Sequence, residues 1–290
     1  MMADGWWALW GPFAEFGFMK RAWAGSLALS LSAAPLGVFL MLRRMSLMGD
    51  AVAHGILPGA ALGYLYAGLS LGWMTVGGIA AGMLVAVASG LVARSTVLKE
   101  DASLAAFYLL SLALGVLIVA TQGNNIDLLH VLFGSVLSLN DEALLLLGGL
   151  SSLTLMGLAL LYRPLVMECL DPAFLRQVSR WSPVAHYGFL ALLVINLVAG
   201  FHALGTLMSV GLLVLPAASA RFWVRTLPSM LVLAAALALL GCTLGLLLSF
   251  HADWPSGPSI VLCLGLIYLL SLVWGRQGLV PRRSHTHRQG

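Results

Sequence analysis

The sequence predicts an all-α polytopic membrane protein, a transmembrane helical bundle of eight or nine spans. Three observations carry that prediction. Sixty per cent of the 290 residues are hydrophobic and 9% are charged, where soluble domains carry about 25% charged residues. Mean hydropathy is +0.98. Residues 51–93 hold no Asp, Glu, Lys or Arg, and neither do residues 181–220. A membrane helix takes about 20 apolar residues, so each interval accommodates two helices and a turn. Barrel strands would alternate apolar and polar residues, and runs such as LVLAAALALLGCTLGLLL do not.

Apolar runs bounded by charge or by Gly and Pro place the spans in order at about 19–42, 50–68, 72–93, 102–120, 141–162, 184–200, 202–220, 228–250 and 258–275. The seventh is short and interrupted by Gly and Pro, hence eight or nine. Residues 1–16 read as an extracytoplasmic segment, 17–276 as the membrane domain and 277–290 as a His/Arg-rich cytoplasmic tail. The first residues are acidic and aromatic, which predicts an interfacial anchor rather than a signal peptide.

Of the 15 Lys and Arg residues, 13 follow the odd-numbered spans and only Lys20 and Arg21 fall on the opposite face. That opposite face carries Asp4, Glu15, Asp127, Asp141, Glu142 and Asp253. The positive-inside rule therefore predicts an outside N-terminus and a cytoplasmic C-terminus, in a plasma membrane or, in a Gram-negative cell, the inner membrane. The net charge of +4 reports topology and partnership with lipid, not with nucleic acid.

Two loops are long. Residues 121–140 are predicted outside, as an interfacial or re-entrant element. Residues 163–183 are predicted inside. There Asp171-Pro172 reads as an N-cap followed by Pro at the first helical position, and Phe174, Val178 and Trp181 share a helical face. The bland alternative is a loop helix resting on headgroups.

Asp50 and His54 stand at i and i+4 in MSLMGDAVAHGILPG and share one helix face. A carboxylate within a span is costly and marks a functional site by default. Carboxylate and imidazole suit zinc, manganese or ferrous iron. Spacing alone leaves a second reading open, a carboxylate capping a helix at the membrane edge beside an ordinary buried histidine. Pro58 with Gly55, Gly59 and Gly63 predicts a weakened helix, as in a substrate path, or simply close helix packing. His202 is predicted to open the seventh span, as a further path residue or as a structural histidine. His130 and His251, with Asp127 and Asp253, could steer cations to the mouth. His285 and His287 form a weak pair in the tail.

Absences narrow the classes. There is no G-x-x-x-x-G-K-[ST] and the chain has two lysines, so any ATP-driven motor is another subunit. Neither H-E-x-x-H nor G-x-S-x-G occurs. Cys169, Cys242 and Cys263 are scattered and predict neither disulfides nor a thiolate site.

The run LGVFLMLRRMSLMGDAVAHGILPGAALGYL, with FGSVLSLN and ALGTLMSVGLLVLPAASAR, resembles the membrane permeases of bacterial ABC importers for zinc, manganese and iron. The resemblance spans about residues 17 to 275. It implies the cobalamin-importer type of fold with fewer spans and no permanently bound cofactor. It also implies a homodimeric or paired permease, cytoplasmic ABC ATPase subunits and an extracytoplasmic metal-binding protein. Asp50 and His54 fall on the family's ion-path Asp and His. Leu170, Asp171, Pro172, Ala173, Phe174 and Arg176 fall on its ATPase-coupling helix, where Leu170 replaces the usual Phe and Val178 and Ser179 stand in place of a closing Gly. Ala53 stands where many relatives have Ser. The rival expectations are an ATPase-independent channel or facilitator, a siderophore- or cobalamin-type permease and, last, an intramembrane metalloenzyme. Among metals, the tail histidines tilt the expectation slightly toward zinc.

Overall fold

The computed structural model describes residues 10–68, 70–97, 100–121, 137, 139–170 and 181–279. Among the described residues, the helices that build the bundle follow in this order: α1 (Gly17–Leu42), α2 (Met48–Gly55), α3 (Leu57–Ala67), α4 (Leu71–Ser95), α5 (Glu100–Thr121), α6 (Asp141–Leu170), α7 (Trp181–Leu204), α8 (Thr206–Arg221), α9 (Leu227–Ala252) and α10 (Ser256–Trp274). No strand occurs among the described residues. Apart from the short α2, the helices are apolar on all sides, as lipid on one side and protein on the other require.

Six of them, α1, α4, α6, α7, α9 and α10, are long and apolar enough to cross a bilayer. This is a multi-pass membrane protein. The apolar helices α5 and α8 are shorter, and α2 and α3 are two pieces of one apolar stretch. α1 and α7 form the centre, each with 72% of its apolar window buried, whereas only 22% of that of α6 is. α1 packs on α6, α8 and α9, and α7 packs on α4, α6 and α8. Where the two central helices meet, Asn196 Nδ2 donates to Ser32 Oγ at 2.7 Å. In lipid such polar contacts take over part of the work that water does for soluble proteins.

The end of α1 aims the chain at α2. Met45 N–H bonds to Leu40 C=O and Arg44 N–H to Met41 C=O, both at 3.0 Å, with Arg44 left-handed at φ 57°. That is a Schellman stop with a non-glycine residue at its turning point. At the other membrane face, Asn140 Oδ1 accepts from Ala143 N–H at 2.7 Å and caps α6. Arg21 donates to Leu139 C=O at 2.9 Å and lies 3.7 Å from Asp141. One of the two cations on the acidic face thus pins the start of α6.

Two expected boundaries are corrected. The fifth span does not stop at residue 162. α6 continues through Pro164 to Leu170, because Leu165 and Glu168 are buried against neighbouring helices and their packing outweighs the proline. His202 does not open the seventh span; it lies near the end of α7. The break falls at Gly205, whose φ of 81° suits glycine. Gly200, the earlier glycine, instead lets α8 approach closely at Ser209.

Candidate functional site

Asp50 lies in the first turn of α2 and His54 in its last. Asp50 is not the capping residue: Leu47 holds that place and makes no side-chain cap hydrogen bond. A carboxylate one turn inside still meets the positive end of the helix dipole. Asp50 Oδ1 and His54 Nε2 face each other at 3.6 Å, beyond the 2.7–3.2 Å of an N–H···O hydrogen bond. The Asp50 side chain is 60% exposed and that of His54 28%. His54 Nδ1 is buried and meets no hydrogen-bond partner among the described residues, so Nε2 is the nitrogen open to a ligand. Ala53 between them is buried in the core.

Helix α5 forms the wall beside this pair. The Tyr108 ring lies 6.4 Å from the His54 imidazole, and Ser111 Oγ donates to Gly55 C=O at 2.9 Å. Pro58 has no N–H to offer the carbonyl four residues back, that of His54, and the helix is jointed there at Ile56. The predicted weakening is therefore present, directly behind the imidazole. Beyond the joint, Gly59 of α3 and Gly77 of α4 touch backbone to backbone, leaving no room for a Cβ on either. A mostly apolar groove of about 840 Å³ follows, lined by Pro58, Gly63, Tyr66, Trp73 and Ser111 among others.

Among the described residues, no three His, Cys, Asp or Glu side chains gather to hold a metal. Among the described residues, Asp50 and His54 thus stand as a pair without a third such side chain beside them. His202 is on α7, but its side chain lies outside the described residues. Leu170 is the exposed last residue of α6; Asp171, Pro172, Ala173, Phe174 and Arg176 lie outside the described residues, as do Asp127, His130, His285 and His287. His251 is exposed, its Nδ1 2.9 Å from Leu247 C=O, and serves the end of α9. Sequence reasoning singled out neither Tyr108 nor Ser111, because nothing local ties α5 to α2. It also passed over Glu168, which a rule against lone carboxylates in apolar helices would have flagged.

The model of the ABC 3 transport family matches residues 15–275. The chain belongs to the ABC 3 transport family. It resembles the manganese import system permease protein ScaB of Streptococcus parasanguinis, with 31% identity over 89% of this chain and 90% of that one. The manganese transport system membrane protein MntC of Halalkalibacterium halodurans is 31% identical, over 92% and 91%. The chelated iron transport system membrane protein YfeD of Yersinia pestis is 31% identical, over 91% and 87%. Among solved structures, PsaBC from Streptococcus pneumoniae matches with a TM-score of 0.82 and 27% identity, over 96% of this chain and 97% of that one. An inward-facing metal-chelate type ABC transporter, at TM-score 0.67 and 19% identity over 87% and 85%, shares the fold.

As a member of the ABC 3 transport family, the chain is a permease of the metal-type ABC transporters and not an enzyme; ATP hydrolysis belongs to a separate subunit. Family membership does not favour the ATPase-independent facilitator.

Proposed function

We propose that this permease imports a divalent transition metal, manganese or iron, and that the ion passes between Asp50 and His54. The observation that carries this reading is the 3.6 Å gap between Asp50 Oδ1 and His54 Nε2. It is too wide for a hydrogen bond, and it leaves a carboxylate oxygen and an imidazole nitrogen on one helix face, near enough to close on one ion. Carboxylate and imidazole accept manganese, iron and zinc alike. The relatives' names speak of manganese and chelated iron, so these stand ahead of the zinc that the tail histidines favour.

Two donors bind an ion weakly, which suits cargo that must leave again. The exposed Asp50 carboxylate is suited to a second permease subunit, in our reading an identical one. Its own Asp50 and His54 would bring the set to four donors across the shared axis. The cytoplasmic ATPase would seat on residues 170–176, and an extracytoplasmic binding protein would deliver the metal to the opposite face. We take residues 17–276 as the permease unit. α2 and α3 serve as one jointed span and α5 and α8 as short ones, giving nine spans in the cobalamin-importer type of fold, with the N-terminus outside. His202 remains a candidate path residue.

Uptake of ⁵⁴Mn or ⁵⁵Fe in a strain lacking its own permease tests this reading. Asp50→Ala and His54→Ala are each expected to lower uptake at least about a hundredfold while membrane abundance holds, as loss of an ionisable residue on a membrane ion path would. Full uptake by the double variant contradicts the assignment.

A further inference from the structure

A buried polar knot joins three helices on the face from which residues 171–180 depart. Arg43, the C-cap of α1, turns its side chain inward, where only 8% of it is exposed. Its Nη2 donates to His186 Nδ1 of α7 at 2.6 Å and lies 4.0 Å from Glu168 Oε1 of α6, a side chain 6% exposed. Glu168 Oε2 accepts from Ser182 Oγ at the start of α7, at 3.2 Å. The guanidinium is stacked 5.1 Å above the buried Phe189 ring. Since a guanidinium only donates, His186 Nδ1 must be its acceptor and the proton sits on Nε2. Gly90 of α4 borders that Nε2 at a distance that would give even a Cβ an ordinary van der Waals contact.

We infer that this knot is the link through which residues 171–180 act on the metal-carrying helix, with Arg43 as its positioning residue. The inference rests on the reading of that segment as the ATPase seat. Glu168 stands just before the segment and Ser182 just after it, so one carboxylate ties both of its ends. Arg43 is ion-paired with that carboxylate at 4.0 Å, bonds to His186 of α7, and sits seven residues before Asp50, with only the tight α1 stop between them. Displacement of either end is therefore delivered to α2 through a rigid, buried contact rather than through lipid-facing side chains. Stability alone does not require such a device, because well-packed apolar residues replace buried ion pairs at little or no cost. A planar guanidinium also fixes direction in a way an ammonium does not.

The test uses the full complex of permease, ATPase and metal-binding protein in liposomes. The double variant Arg43→Met, Glu168→Met exchanges the pair for apolar side chains. It is expected to unfold within a few degrees of the parent and to bind as much manganese, about equally. Uptake is expected to fall at least about tenfold, with loss of the extra ATP hydrolysis that the metal-loaded binding protein elicits, a size typical of coupling between sites. Uptake and stimulated hydrolysis at the parent's level would overturn the inference. Glu168→Gln, which keeps hydrogen-bonding atoms and removes the charge, guards against a double variant that fails to assemble. It is expected to lower stimulated hydrolysis by about threefold or more, and unchanged stimulation would again count against the knot. The underlying reading has its own readout: Asp171→Arg must weaken co-purification of the ATPase. Undiminished co-purification would refute the docking segment, whatever the Arg43 and Glu168 variants do.

Discussion

Gly59 and Gly77 meet with each backbone in the place where the other's Cβ would be, and this contact holds the jointed α2–α3 stretch against α4. A side chain on either glycine collides with a carbonyl rather than with a movable side chain. Gly77→Val is therefore expected to cost about 1–3 kcal/mol and to lower the thermal midpoint of the purified permease. Gly265→Ala, at a helical site with open space around it, should leave that midpoint unchanged or raise it, since alanine suits a helix interior better than glycine by about 1 kcal/mol. At the same scale, Asp50 and His54 were legible in the sequence because one helical turn suffices to bring them together. Tyr108, Ser111, Glu168 and His186 were not, since each acquires its partner from a helix far away in the chain. Glu168 alone carried a local clue, a carboxylate in an apolar run.

Individual helices begin and end for reasons that are partly local. Asn140 is a conventional N-cap, and its amide oxygen satisfies the third free N–H of α6. Asn140→Ala is expected to destabilise the protein by about 1 kcal/mol, while Asn140→Asp should retain most of the cap; chemical denaturation in detergent measures both. Arg44 turns the chain at φ 57° without being glycine. Arg44→Gly is accordingly expected to stabilise by about 1 kcal/mol, seen as a higher thermal midpoint. The length of the apolar runs located the helices, because membrane spans need only length and hydropathy. It misplaced two boundaries, where Pro164 proved compatible with a helix anchored by buried Leu165 and Glu168, and where Gly205 rather than Gly200 took the positive φ. Tertiary packing decided both, and packing is not written in any short window.

For the whole molecule, the two central helices α1 and α7 set the frame and the other helices present apolar faces outward. In the proposed reading, weak ligation shared between two permease subunits lets the ion move on. Ligation of the metal by His54 is the decisive feature of the proposed path. Electron spin echo spectroscopy on Mn²⁺ bound to the purified permease is the most direct test. Modulation from an imidazole nitrogen is expected in the parent protein and should vanish in His54→Gln. A spectrum with the same nitrogen signal in both proteins would contradict the claim.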